Sequence, residues 1–206
     1  MVPPADWSRS QYAYGMGLKN LLAVAAFLAL LLLGGVVYFR IQAGKEAIPL
    51  QPASQRRLVE DLEFENSDGS RFFLSRFKTK PVVIDVWASW CAPCLRNIPQ
   101  LVQLKKQYGD QIEILGLNVD SDGWPAVERF RRQFPAVNFP LVRVQPEPII
   151  VQTIVTIPSL GPISVLPSAF LIDAEGRLAG KYVGLDQMGQ LHRDVESMKS
   201  EGGSMK

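Results

Sequence analysis

The chemistry of this chain centres on its only two cysteines, Cys91 and Cys94, which are separated by two residues. The segment before them, residues 81–87, is apolar and rich in β-branched side chains, which predicts a buried strand. After them, apolar residues recur at helical spacing to about Tyr108, and Gly109 predicts the end of the helix. The pattern therefore predicts a strand, a short turn and a helix that carries both sulfurs in its first turn.

This placement favours redox chemistry. Cys91 is expected at the N-terminus of the helix, where unpaired backbone N–H groups and the positive end of the helix dipole stabilise a thiolate. The thiolate is the form of cysteine that attacks disulfides. Cys94 is expected one turn later, where it can resolve a mixed disulfide on Cys91. Pro93 suits the first helical turn, because its missing N–H has no partner to lose there.

Two other interpretations of the cysteine pair stay open. A purely structural disulfide is one, although closing so short a loop stabilises a fold by only about 2 kcal/mol. A zinc site is the other, although such a site normally needs four ligands and the chain adds only one distant histidine, His192. The spacing favours redox chemistry over both.

The segment Trp90-Cys91-Ala92-Pro93-Cys94, following an apolar strand, resembles the thioredoxin superfamily and its membrane-anchored TlpA/ResA/DsbE-like branch. The resemblance extends over residues 58–198. It implies an α/β thioredoxin fold, with a mixed central sheet flanked by helices, an N-terminal β-hairpin and one preceding transmembrane helix. It also implies a protein-disulfide reductase that is recharged by a transmembrane thiol reductase and could serve cytochrome c maturation.

A second motif, Val-Leu-Pro-Ser-Ala-Phe-Leu-Ile-Asp at residues 165–173, resembles the family segment in which a cis-proline faces the dithiol. The resemblance implies a cis bond before Pro167 and a backbone at Leu166 that pairs with an extended substrate segment. An ordinary trans proline at the start of a strand is the alternative. The residues expected to contact substrate, from this motif and from the segment around the cysteines, are Trp90, Ala92, Pro93, Leu166 and Pro167.

Asp85 lies in the middle of the predicted apolar strand. Burial of a carboxylate raises its pKa, so a raised pKa beside the dithiol would suit a proton acceptor for Cys94. An ion pair with a lysine is the alternative. Thioredoxin has a buried aspartate on the matching strand, and this resemblance supports the catalytic role. Many relatives in the TlpA-like branch instead carry a glutamate three residues after the second cysteine, where this chain has Asn97.

The N-terminal region divides by composition into a polar tail over residues 1–20 and an uncharged apolar run over residues 21–39. As a helix the run would be about 28 Å long, close to the thickness of the hydrocarbon core of a bilayer. An uncleaved membrane anchor is the preferred interpretation and a cleaved signal peptide the alternative. Residues 40–57 are polar and predict a linker, residues 58–199 the thioredoxin-like domain and residues 200–206 a flexible tail.

Charge gives little guidance on topology, because two basic residues precede the apolar run and two follow it closely. The resemblance implies a single-pass protein of the cell membrane, with its amino terminus inside and its catalytic domain on the periplasmic or extracytoplasmic side. Disulfide-bearing proteins are the expected substrates. The net charge of +2 is too small to predict a nucleic-acid partner, and no metal or further cofactor is expected.

The rest of the chain predicts the elements of such a domain. A hairpin is expected over residues 62–74, a strand over 112–119, a helix over 124–134, two paired strands over 168–183 and a closing helix over 186–198. Residues 145–162 fit a strand, an irregular loop or a broken helix equally well. Two other functions stay open: a dithiol oxidase or isomerase, and a non-catalytic tethered binding module or redox sensor.

Overall fold

The computed structural model describes residues 18–151 and 154–203. A long helix, α1 (Leu18–Glu46), begins the described part of the chain. The chain divides into two compact units, with the boundary between Ile41 and Gln42. In α1 the stretch Asn20–Tyr38 is long and apolar enough to cross a membrane, which nearly matches the predicted anchor. Residues 1–17 of the predicted tail lie outside the described residues.

The second unit is an α/β domain. Its described strands are β1 (Arg57–Leu58), β2 (Glu63–Glu65), β3 (Arg71–Phe73), β4 (Val82–Trp87), β5 (Glu113–Asn118), β6 (Leu141–Gln145), β7 (Ile149–Val151), β8 (Ile154–Ile157), β9 (Gly161–Ile163), β10 (Ser168–Ile172) and β11 (Arg177–Val183). Its described helices are α2 (Ala92–Tyr108), α3 (Trp124–Gln133) and α4 (Met188–Gly203).

The main sheet is mixed and runs in the order β1-β11-β10-β4-β5-β6-β2-β3. Strands β4, β5 and β6 are parallel, and the other neighbouring pairs are antiparallel. Every residue of β4 and β5 is buried, as expected for parallel strands covered on both faces. Helix α2 contacts β5, and α4 contacts β10 and β11. The predicted mixed sheet flanked by helices, with its β4-α2-β5 unit, is confirmed.

The predicted N-terminal hairpin is formed by β2 and β3. Its turn is closed by Asp68, whose carboxylate accepts hydrogen bonds from the N–H and hydroxyl of Ser70, and by Gly69, whose φ of 78° suits glycine. Strand β2 also pairs with β6, so the hairpin extends the edge of the main sheet. Phe64 and Phe72 bring their rings to 5.6 Å and anchor the hairpin to the core.

The predicted linker over residues 40–57 needs correction. Its first residues are helical, because α1 continues to Glu46. Ile48 then exchanges two backbone hydrogen bonds of 2.8 Å with Lys181 of β11, and Gln51 donates to the carbonyl of Ala179. Ile48 and Leu50 pack partly buried against the core. The segment is therefore part of the domain, because it covers the backbone edge of β11 that would otherwise be exposed.

In residues 145–162, for which the sequence fits three structures equally well, Gln145 ends β6 and the described residues from Ile149 onward form a separate antiparallel sheet in the order β7-β8-β9. Residues 152 and 153 lie outside the described residues. Buried side chains of β8 and β9, among them Val155, Ile157 and Ile163, join the main core. Towards the C-terminus, α4 continues to Gly203 and so includes part of the segment predicted as a flexible tail. Residues 204–206 of that tail lie outside the described residues.

Candidate active site

The two cysteines lie where β4 gives way to α2. Cys91 is the residue that caps the N-terminus of α2, and its sulfur accepts a hydrogen bond of 3.2 Å from the N–H of Cys94. The two sulfurs are joined in a disulfide. Pro93 lies in the first turn of the helix, as predicted. A sulfur that accepts from an amide at the positive end of a helix dipole is well placed to exist as a thiolate after reduction.

The two sulfurs differ in access. Cys94 has no exposed surface and Cys91 retains 4%. Beside Cys91 the indole of Trp90 is 71% exposed, Ala92 is exposed and Pro93 is partly exposed. A partner protein that approaches this surface would therefore reach Cys91 before Cys94, which is the order that attack followed by resolution requires.

The loop before β10 lies at the same end of the sheet. Ser168 is paired with Val86, so Pro167 falls beside the carboxyl end of β4, from which the dithiol helix begins. The peptide bond between Leu166 and Pro167 is cis, as the resemblance implied. The carbonyl of Pro167 accepts from the N–H of Gly184, which fixes the loop against the end of β11.

Leu166 is half-buried, and its backbone N–H and C=O take part in none of the backbone hydrogen bonds found among the described residues. A substrate strand that pairs with this loop would need such free backbone donors and acceptors. The part that Trp90, Ala92, Pro93, Leu166 and Pro167 play in substrate binding stays a prediction.

Asp85 lies under the dithiol helix, with no exposed surface. Its sheet neighbours are Gly116 of β5 and Ala169 of β10, neither of which carries a charge. Its Oδ1 accepts a hydrogen bond of 3.3 Å from Nδ2 of Asn97 on α2. Burial raises the pKa of Asp85 from 3.8 to about 7, and the hydrogen bond from Asn97 opposes that rise.

The alternative interpretation of Asp85, an ion pair with a lysine, is therefore wrong for the described residues, because the group that pairs with it is a neutral amide. A buried carboxyl with a pKa near neutrality can gain and lose a proton under ordinary conditions. Its service to Cys94 as a proton acceptor stays a prediction.

Sequence reasoning missed a buried acceptor that holds the loop before the cysteines. Asp120 follows β5, and its two carboxylate oxygens accept from the N–H of Ser89 at 2.8 Å and from the Ser89 hydroxyl at 2.9 Å. The amide of Asn118 donates to the same carboxylate at 2.6 Å. Arg143 of β6 donates to the backbone carbonyl of Asp120 at 3.0 Å. The carboxyl ends of parallel strands meet at one edge of a sheet, and that rule could have located Asp120.

Asp120→Ala is expected to lower the free energy of unfolding by about 2–4 kcal/mol, because it leaves the partly buried N–H of Ser89 and the buried amide of Asn118 without an acceptor. Urea unfolding of the detergent-solubilised chain, followed by tryptophan fluorescence, measures this loss. Asp122→Ala is the matched control, since Asp122 is exposed and pairs with exposed Arg129; it should cost less than about 1 kcal/mol. Equal losses in the two variants would contradict a holding role for Asp120.

The chain is similar to known proteins over most of its length. A family model described as Redoxin matches residues 43–199. The chain is 31% identical over 177 residues to the thiol-disulfide oxidoreductase ResA of Bacillus cereus (strain ZK / E33L), an alignment covering 84% of this chain and 94% of the relative. It is 29% identical over 168 residues to the ResA of Bacillus subtilis (strain 168), covering 81% and 86%. A thiol:disulfide interchange protein from Chlorobium tepidum TLS superposes with a TM-score of 0.56 and 25% identity, covering 71% of this chain and 99% of that one.

Proposed function

Because this chain belongs to the redoxin family of thioredoxin-fold proteins, as a TlpA/ResA/DsbE-like thiol–disulfide oxidoreductase, we propose that it reduces disulfides in extracytoplasmic proteins. The observation that carries the proposal is the Cys91–Cys94 disulfide at the N-terminus of α2, where Cys91 keeps 4% of its surface exposed next to exposed Trp90 and Cys94 has none. Exposed Trp90 and the loop at Leu166 would flank a bound substrate segment.

In the proposed reaction the Cys91 thiolate attacks one sulfur of a substrate disulfide. A bond forms between Cys91 and that sulfur, and the other substrate sulfur leaves as a thiolate. Cys94 then gives its proton to the carboxylate of Asp85, and its thiolate attacks Sγ of Cys91. The Cys91–Cys94 disulfide forms and the second substrate sulfur leaves. Both substrate thiolates take protons from water, and the substrate has gained the two electrons that the dithiol has lost.

We propose that the protein is anchored in a membrane while it carries out this reaction. The apolar stretch of α1 would remain as an uncleaved single-pass anchor in the cell membrane. The amino terminus would lie inside and the catalytic domain outside, because disulfides form and persist outside the cytoplasm. A dithiol that is oxidised at each turnover needs a source of electrons, and we assign that role to a transmembrane thiol reductase. Cytochrome c maturation is the pathway proposed for the substrates.

The proposal is tested with the full chain in a mild detergent, with insulin as substrate and dithiothreitol as reductant. We expect catalysed precipitation of reduced insulin and a Cys91–Cys94 reduction potential at or below about −230 mV in thiol–disulfide buffers. A potential above about −180 mV would instead identify a dithiol oxidase or isomerase. Failure to accelerate insulin reduction would leave a binding module or redox sensor and would overturn the proposed activity.

A further inference from the structure

Two buried oxygen atoms beneath the dithiol helix have no hydrogen-bond partner among the described residues. They are Oδ2 of Asp85 and Oδ1 of Asn97, and both residues are fully buried. The other polar atoms of these two groups already meet, since Nδ2 of Asn97 donates to Oδ1 of Asp85. A buried acceptor without a donor is costly, so two of them in one contacting pair require an explanation.

Among the residues that the structure describes, no neighbouring group donates a hydrogen bond to either oxygen. The residues of the adjoining strands that face Asp85 in register, Gly116 and Ala169, have no polar side chain. The buried face of α2 carries two titratable side chains: Cys94, which is held in the disulfide, and Tyr108, which lies eleven residues beyond Asn97. The buried indole N–H of Trp87, two residues along β4, hydrogen-bonds to neither oxygen.

We propose that Asn97 is a positioning residue that completes a buried acid–amide pair with Asp85 in the disulfide form of the protein. In this pair the protonated carboxyl donates from Oδ2 to Oδ1 of Asn97, while Nδ2 of Asn97 donates to Oδ1 of Asp85. One proton thus satisfies both orphaned oxygens, since a protonated carboxyl is a donor as well as an acceptor. The raised pKa of Asp85, about 7 as a result of burial, agrees with a proton held there.

The pair also accounts for the proton in the reaction, a step that rests on the proposed function. When Cys94 resolves the mixed disulfide its proton passes to the Asp85 carboxylate, and the disulfide product is left with a protonated Asp85. The amide oxygen of Asn97 receives that proton in a hydrogen bond. On re-reduction a thiolate of the proposed transmembrane thiol reductase attacks Sγ of Cys91 and forms a mixed disulfide with it, which breaks the bond between Cys91 and Cys94. Cys94 leaves as a thiolate and takes the proton back from Asp85, and a second thiolate of the reductase then displaces Cys91. Asn97 would thereby stabilise the proton in one redox state and release it in the other.

The test is infrared spectroscopy of the full chain in detergent, in its disulfide form, titrated between about pH 5 and pH 9. We expect a carboxylic acid C=O band that Asp85→Asn removes and that disappears with a midpoint near the pKa of 7. In Asn97→Leu the band should shift to higher wavenumber, because the acid loses both hydrogen bonds. Asn138→Leu is the matched control: the amide of Asn138 donates to the Val102 carbonyl elsewhere, and its loss should leave the band in place.

Asn97→Asp is a second variant, in which aspartate keeps the shape of asparagine. It replaces Asn97→Leu if leucine disturbs the fold. It places two carboxyls in contact, so the single titration should split into two steps, one of them above the wild-type midpoint. The proposal is overturned if Asp85→Asn removes no acid band near pH 5, or if the band keeps its frequency in Asn97→Leu. The spectra are recorded without substrate, so the two proposals can fail separately. A protein that reduces insulin but lacks the acid band would reject only the acid–amide pair. A protein that shows the band but does not reduce insulin would reject only the proposed activity.

Discussion

Cys91→Ser is expected to reduce catalysed insulin reduction by more than about a thousandfold, to the rate of dithiothreitol alone. The hydroxyl of serine is not ionised at neutral pH, so the variant loses the thiolate that the N-terminus of α2 stabilises. The turbidity of precipitating insulin measures the rate. The fold should survive, because serine differs from cysteine by one atom and can still accept from the N–H of Cys94, as the sulfur does. A Cys91→Ser variant with full activity would reject the mechanism.

Cys94→Ser is the matched variant, with the same substitution one helical turn later. Its Cys91 can still attack a substrate once, but no second sulfur remains to resolve the mixed disulfide. We expect a covalent adduct of the variant with one insulin chain, visible as a mass increase on a non-reducing gel and absent after reduction. If Cys91→Ser formed the adduct and Cys94→Ser did not, the roles of the two cysteines would be reversed.

The part of the fold that surrounds the cysteines could be predicted because its signals are local. The apolar run of β4 and the helical spacing of α2 lie on either side of the cysteine pair, and the glycine after Tyr108 ends the helix with a φ of 54°. The Asp-Gly turn between β2 and β3 is equally local. Each of these elements is specified by residues adjacent in sequence, so pattern and turn chemistry suffice.

The features that could not be predicted depend on contacts between distant segments. Residues 48–51 lie within residues 40–57, which are predicted as a linker, and their hydrogen bonds to β11 place them in the domain. Asp120 lies 31 residues from Ser89, and nothing in the sequence near either residue announces their contact. Asn97 departs from the family pattern in the sequence, but its partner, Asp85, is determined by the packing of α2 over β4. Pairing and register across a sheet are not encoded by any single segment.

The ionisation of buried Asp85 affects both the stability of the domain and its proposed chemistry. Its carboxyl lies in a central strand, where each sheet neighbour is apolar and its one hydrogen-bond donor among the described residues is the amide of Asn97. Such a site penalises the ionised form and tolerates the protonated one. A group that is poised near neutrality for proton transfer must therefore lower the stability of the fold whenever it is ionised.

Asp85→Asn is accordingly expected to stabilise the disulfide form at pH 8 by about 4 kcal/mol, the free-energy equivalent of the pKa difference between 3.8 and about 7. The sign follows from proton binding. Between these two pKa values the unfolded chain has lost the proton and the folded chain has kept it, so the unfolded state binds fewer protons and the stability of the wild type falls as pH rises. Above about pH 7 both states are ionised and the full penalty remains, whereas asparagine is neutral throughout.

Urea unfolding of the disulfide form in detergent, at about pH 4.5 and at about pH 8, tests this expectation. The advantage of Asp85→Asn over the wild type should be small at the lower pH and near its maximum at the higher one. Asp110→Asn, the same substitution at an exposed position, should change stability by less than about 0.5 kcal/mol at either pH. An equal stability of Asp85→Asn and wild type at pH 8 would show that the folded protein holds Asp85 ionised without cost. In that case a proton acceptor tuned by burial could not explain the resolution of the mixed disulfide by Cys94.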